Sequence, residues 1–146
     1  MKAILFYIAM ITANFPGVEL DPKQTKCIAH AVYHEARGEP IMGQVAVAYV
    51  IKNRRYSKRY PDTFCEVVYQ RHQFTDIKHT KPDYDSAAWK QAAEIAAYTQ
   101  IGLIDDQTNG ATMYHNPIKA PTPRWNFGKL QLVGNLENHR FYKEIL

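Results

Sequence analysis

Two apolar segments stand back to back, split by Gly38-Glu39-Pro40, and this pair restricts the possible folds of the chain more than any other feature. The first opens at Asp21-Pro22. An aspartate there can accept from free backbone N–H groups, and proline suits a first helical position, where no N–H partner is needed. Along "KQTKCIAHAVYHEARG", residues Cys27, Ile28, Ala31, Val32 and Glu35 recur at spacings of one, three and four, which is one stripe of a helix. Gly38 and Pro40 then stop it. The second segment, "PIMGQVAVAYVIKN" from Pro40 to Asn53, restarts with proline in a first turn and is apolar nearly all round. That pattern marks a central, buried helix.

Further along, Tyr60-Pro61-Asp62 reads as a turn with a capping aspartate, leading into a short helix "TFCEVVYQ". A loop, "RHQFTDIKHTKPDYD", follows. Asp85 or Ser86 can cap the next helix, Ala87 to about Ile101, and Gly102 ends it. The last third changes character: "GATMYHNP", "APTPRW" and "KLQLVG" are short extended pieces punctuated by proline and glycine, closing on "NHRFYKEIL". The expectation is an α+β fold, mainly helical, with a small β-sheet or hairpin in the C-terminal third. A length of 146 residues suits one domain with a proper core.

Residues 1–20 form a separate question. One lysine precedes an apolar run from Ala3 to Ala13, too short for the roughly 20 apolar residues of a membrane span. Either this segment is signal-like or it packs on the domain formed by 21–146. Net charge is +4 with a pI near 9.0, which favours an anionic partner such as nucleic acid, a membrane surface or a bacterial wall polymer. The charge gathers in "KNRRYSKRY", Lys52 to Tyr60, which reads first as a solvated basic loop. Cys27 and Cys65 would close a long loop in an exported protein and would be two small buried thiols in the cytosol.

Glu35 is the anomaly. It lies on the buried stripe of its helix, where desolvation disfavours the charged carboxylate and raises its pKa. A general acid that protonates a glycosidic oxygen needs that protonated state. The plainer readings turn Glu35 to solvent or pair it with Arg37 or Lys23. Glu39 sits just before Pro40, where a carboxylate favours the dipole of the next helix, so it is expected to stand behind the site rather than in it. His30 and His34 are four apart and could share one cation, but Ala31 occupies the place where a zinc-protease helix carries its glutamate. No metal is expected. No Gly-x-Ser-x-Gly, phosphate loop or dinucleotide fingerprint occurs, so no cofactor is expected either. The basic-aromatic run matches no nucleic-acid module.

The sequence resembles the SleB/CwlJ-like cell-wall hydrolases, spore-cortex lytic enzymes and their bacterial and phage relatives. The resemblance starts with "CIAHAVYHEARGEPIMGQVAVAYVIKNR", Cys27 to Arg54. It continues through "YPDTFCEVVYQ", Gln73-Phe74, "GATMYHNP", Pro123-Arg124-Trp125 and "NHRFYK", in order along nearly all of the chain after Asp21.

This resemblance implies a lysozyme-like, lytic-transglycosylase-related α+β domain that cleaves the β-1,4 bond between N-acetylmuramic acid and N-acetylglucosamine. It implies Glu35 as the acid/base, protonating the leaving oxygen and then activating the muramyl 6-hydroxyl or water. The first route needs one carboxylate; hydrolysis needs a second, for which Asp76, Asp83 and Asp85 are on offer. The alternatives are a hydrolytic muramidase, an amidase, or a non-catalytic wall-binding relative. Gln73, Phe74, Tyr114, His115 and Trp125 match positions that would line the saccharide groove, and His34 becomes a neighbour of the acid. The partner implied is bacterial peptidoglycan, met by a monomer exported to the cell envelope or delivered by a phage, with neither nucleic acid nor a transmembrane span involved. Cys27 and Cys65 sit where many exported relatives carry cysteines, so a disulfide is expected in an oxidising compartment. Two departures stand out. The usual Gln-Phe-Ser-Trp runs Gln73-Phe74-Thr75-Asp76 here, and Glu137 replaces the usual glycine before Asn138-His139.

Overall fold

The computed structural model describes residues 1–70, 77–121 and 123–145. Among these, five helices precede three strands: α1 Lys2–Asn14, α2 Pro22–Ala36, α3 Ile41–Arg55, α4 Phe64–Val68 and α5 Ala87–Gln100, then β1 Met113–His115, β2 Leu130–Leu136 and β3 His139–Glu144. A 3-10 turn at Phe127–Lys129 leads into β2.

Helix boundaries follow the local chemistry. Asp21 accepts from the backbone N–H of Lys23 at 2.9 Å with Pro22 at the first position of α2. The helix ends where Gly38 takes φ +84, a left-handed conformation that costs glycine little. Ser86 caps α5 by accepting from Trp89 N–H at 3.1 Å, which settles the choice between Asp85 and Ser86. At α4 the expectation needs correcting by one residue. Thr63, not Asp62, is the cap, its hydroxyl accepting from Glu66 N–H at 3.1 Å.

Helix α3 is the axis of the domain: every residue from Gly43 to Ile51 is buried. Around it pack the inner faces of α2 (Ile28, Ala31, Val32), α4 (Val67, Val68) and α5 (Trp89, Ala92, Ala93, Ala96). Alanines on α5 let the helices approach closely, and Trp89 fills the space they leave. The apolar start of the chain is helix α1, which packs on α5 and α2 through buried Ile4 and Ile11 and leaves Leu5, Phe6 and Met10 exposed. No helix among the described residues is long and apolar enough to cross a membrane.

The sheet is antiparallel with strand order β1-β3-β2. Tyr114 pairs with Phe141 and His115 with Arg140, while Leu132 pairs with Tyr142 beyond a bulge at Val133. The β2–β3 hairpin turns at Glu137, whose φ is +53. A left-handed residue at that point is what glycine provides without strain, so the substitution noted in the sequence falls on a position with a real preference for glycine.

Cys27 of α2 and Cys65 of α4 form a disulfide across 38 residues of sequence. The Cys65 N–H also donates to Gln24 Oε1 at 3.0 Å, so two links hold α4 to α2. Closing a loop of that length restricts the unfolded chain by roughly 3–4 kcal/mol on the chain-entropy account. Replacing both cysteines by serine should therefore lower Tm by on the order of 10 °C in calorimetry. An unchanged Tm would show that the bond adds nothing to stability.

Candidate active site

Glu35 lies in the last turn of α2, one residue before the helix ends, and is half-buried with its Oε1 atom shut off from solvent. Arg37, the obvious cation nearby, folds its guanidinium over the Tyr33 ring at 4.8 Å. The chain then reverses through Gly38, and Glu39 arrives at the start of α3. Glu39 is fixed from several sides. Its N–H donates to Ala36 O at 3.0 Å, and its carbonyl accepts from Gln44 Nε2 at 3.0 Å. The same buried amide reaches Gln91 of α5 at 2.9 Å. Gly43 completes the seat: a Cβ there would stand 2.8 Å from Glu39 Oε2. The Gly43-Gln44 pair thus leaves room for one part of Glu39 and ties down another.

Tyr114 on β1 comes to the same place from the other side. It packs against both the helical core and the smaller cluster of Ala46, Val50, Ala111 and Phe141 under the sheet. Its ring stacks on Phe141 at 5.6 Å and meets His139 edge-on at 5.3 Å. Burial, then the Glu35 carboxylate, push the Tyr114 phenol above its ordinary pKa; Glu39 adds to this and Arg54 opposes it. A phenol held protonated keeps its hydrogen-bond donor, here within electrostatic reach of Glu35.

Strand β1 is positioned by the end of α3. Asn53 Nδ2 donates to Asp106 Oδ2 and to Ala111 O, both at 3.0 Å. Asp106 in turn accepts from Thr108 N–H at 2.8 Å and Gly110 N–H at 3.0 Å, so the turn before β1 is organised around one carboxylate. Arg54 is 4% exposed, and its Nε–H donates to Thr112 O at 2.7 Å. Its guanidinium lies over the Tyr60 ring at 5.3 Å. Tyr60 donates to Glu144 Oε1 at 2.5 Å, and the Thr112 hydroxyl donates to the other oxygen of Glu144. Burial alone would raise the Glu144 carboxyl, but these two hydrogen bonds, together with a backbone N–H and the charge of Arg59, hold the group below its ordinary range. Burial, with the Glu144 hydrogen bond adding to it, pushes the Tyr60 phenol up to about 12.

This network corrects the reading of Lys52–Tyr60 as a solvated basic loop. The run is half helix, since α3 continues through Arg55, and Arg54 points into the protein. A charge-dense stretch concealed it, and helical spacing from Val47 and Val50 was the signal that could have found it.

The remaining candidates divide. His115 follows Tyr114 on the strand, so its side chain takes the opposite face. There its Nδ1 lies 2.8 Å from Ala120 O and its Nε2 3.0 Å from Tyr142 Oη. A carbonyl only accepts, so Nδ1 carries the proton and Nε2 accepts from the tyrosine. Trp125 packs edge-on to His115 at 5.4 Å, on that same outer face. Tyr114 therefore joins Glu35, whereas His115 and Trp125 are grouped across the sheet from it. Gln73, Phe74 and Asp76 lie outside the described residues.

His30 also uses both ring nitrogens, with Nδ1 2.9 Å from Tyr69 Oη and Nε2 3.1 Å from Thr80 Oγ1. Thr80 donates its own hydroxyl proton to Ile77 O, so His30 Nε2 is the protonated nitrogen. Burial, then the neighbouring His34, lower the His30 pKa. No cluster of three metal-ligating side chains occurs among the described residues.

A mainly helical domain with a half-buried glutamate at one helix end, facing a three-stranded antiparallel sheet, is a lysozyme-like α+β arrangement. The cell wall hydrolase family model matches residues 38–142. The spore cortex-lytic enzyme of Bacillus subtilis is 35% identical over 124 residues, which are 84% of this chain and 38% of that protein. The spore cortex-lytic enzyme of Oceanobacillus iheyensis is 36% identical over 118 residues, 80% of this chain and 40% of that protein. Among solved structures, the catalytic domain of the Bacillus cereus SleB protein superposes with a TM-score of 0.66 at 32% identity, covering 89% of this chain and 96% of that one. The catalytic domain of the germination-specific lytic transglycosylase SleB from Bacillus anthracis gives 0.68 at 32% identity, covering 88% and 98%. The chain belongs to the cell wall hydrolase family. It spans about two fifths of the length of the curated relatives it matches.

Proposed function

We propose that this protein cleaves the glycan strands of peptidoglycan between N-acetylmuramic acid and N-acetylglucosamine, as a lytic transglycosylase with Glu35 as the single acid/base. The observation that supports this reading is a half-buried glutamate with its Oε1 shut off from solvent, near enough to the half-buried Tyr114 to push its phenol up. Glu35 in its protonated form donates to the glycosidic oxygen as the bond to the muramyl C1 breaks. The resulting carboxylate then takes the proton of the muramyl 6-hydroxyl, whose oxygen closes on C1 to give a 1,6-anhydro end. Tyr114 acts by donating its hydroxyl proton as a hydrogen bond, to Glu35 or to the oxygen being cleaved, and so orients the pair. The names of the two SleB relatives support the assignment: both are catalytic domains, and one is that of a germination-specific lytic transglycosylase.

The same reading gives Glu39 a supporting role. With its backbone fixed by Gln44 and its carboxylate against Gly43, Glu39 brings a second carboxylate within reach of the Tyr114 phenol that Glu35 also acts on. Gly43→Ala tests this. Alanine in a helix is worth about 1 kcal/mol over glycine, so stability should be kept or slightly raised. The added methyl must displace the Glu39 carboxylate, so activity on sacculi should fall by roughly tenfold if that carboxylate supports the acid. Equal activity in the variant would remove Glu39 from the machinery.

The cell envelope is the compartment this substrate implies, and the Cys27–Cys65 disulfide suits an oxidising one. The direct test is digestion of purified sacculi followed by mass spectrometry of the soluble products. Disaccharide-peptides are the expected result. Free peptides with intact glycan would indicate an amidase, and no soluble product would leave a non-catalytic wall-binding protein.

A further inference from the structure

The sheet face turned away from Glu35 carries a second group of rings that the reaction does not use. Tyr142 is its centre: it pairs with Met113 on one side and Leu132 on the other, and His115, Trp125 and Phe127 close over it at centroid distances of 5.5, 6.0 and 5.5 Å. Trp125 and Phe127 lie 5.8 Å apart. The rings are held in place. Buried His115 is fixed at both nitrogens, Asn116 Oδ1 accepts from Ile118 and Lys119 N–H groups, and Asn126 Oδ1 accepts from Gly128 N–H. Yet the assembly is not covered: Phe127 is 42% and Leu132 50% exposed.

Charge marks this face as well. From Met113 to Leu136 the sequence has no acidic residue, while Lys119, Arg124 and Lys129 are exposed around the rings. Arg140, also exposed, is the cross-strand partner of His115 and so lies on the same face. An exposed ring, Phe127, beside the half-buried Trp125 and backed by the buried His115 and Tyr142, with cations exposed on the same segment, fits a polymer that offers sugar faces to stack on and carboxylates to pair with.

We propose that this outer face is a second binding surface, for carboxylate-bearing glycan strands of peptidoglycan, separate from the cleft at Glu35. It rests on the reading of peptidoglycan as the substrate. Its role is to hold the enzyme on the wall while Glu35 works on a strand reaching the other side of the sheet.

Sedimentation with purified sacculi tests the proposal in a Glu35→Gln background, so that nothing is digested. Phe127→Ala combined with Lys129→Glu changes two exposed side chains, and circular dichroism verifies the fold. Binding should weaken by on the order of tenfold, as loss of a stacking ring and reversal of one charge imply. With Glu35 restored, the same double variant should cleave a short soluble glycan oligomer as the parent does, because the oligomer reaches the cleft without being held on the outer face. Unchanged binding in the variant overturns the proposal. So does a loss of oligomer cleavage equal to the loss of sacculus binding, which would mean a single site. Binding that vanishes when teichoic polymers are stripped from the sacculi overturns it too, in favour of a phosphodiester ligand. Failure of the Glu35-bearing protein to release muropeptides from the same sacculi would instead overturn the substrate reading itself.

Discussion

Glu35→Gln should leave the protein folded and lower its ability to solubilise sacculi by on the order of a thousandfold, within the range usual for loss of a general acid–base group. Glutamine keeps the size of the side chain and most of its hydrogen bonding, but it has no proton to give and cannot take one back. Because Glu35 is at the rim of the core rather than inside it, the exchange should shift stability by less than about 1 kcal/mol. A fall in activity accompanied by a large fall in Tm would point to lost folding instead. Activity that survives in a folded variant would move the chemistry elsewhere in the chain.

The second large effect falls on stability. Arg54→Met removes a buried cation from a network that joins the end of α3 to β1 and β3. The methionine fills much of the space, but Thr112 O loses its donor and Tyr60 loses the guanidinium over its ring. Removing one member of a buried, hydrogen-bonded charge cluster costs about 3–5 kcal/mol. Tm should fall by on the order of 10 °C or more. Activity at a temperature where the variant is still folded should fall as well, since the same contacts fix the strand that carries Tyr114. A variant as stable as the parent would show that the Arg54 cluster is no more than a replaceable packing element.

The two effects also mark where sequence was a good guide and where it was not. The α2 boundaries and the odd placement of Glu35 followed from apolar spacing, a capping aspartate and two helix breakers, all of which are local. The helix α3 core was equally plain, because a run that is apolar all round has nowhere to go but inside. Arg54 was hidden since its role depends on Tyr60, Thr112 and Glu144, which come together only in three dimensions. The resemblance placed Tyr114 and His115 together in one saccharide groove, although they are neighbours on a strand. Adjacent residues of a strand face opposite ways, and the pairing of β1 with β3 turned that alternation into two separate surfaces. His30 looked like half of a metal pair, yet its partners are a tyrosine and a threonine that no spacing rule connects to it.

Stability and chemistry meet in one design. Helix α3 carries Gly43 and Gln44 at its start, which seat Glu39, and Asn53 and Arg54 at its end, which seat β1. Glu39 and the strand that carries Tyr114 are thus set by opposite ends of a single buried helix, and α2 ends at the proposed acid, Glu35.

The most direct measurement of the central claim is a digest of sacculi in water enriched in heavy oxygen, analysed by mass spectrometry. If Glu35 delivers the muramyl 6-hydroxyl to C1, the new ends are anhydromuramyl, lighter by one water than reducing ends and free of solvent oxygen. Reducing ends that carry the heavy isotope would contradict the account, because they require a water molecule and a second group to place it.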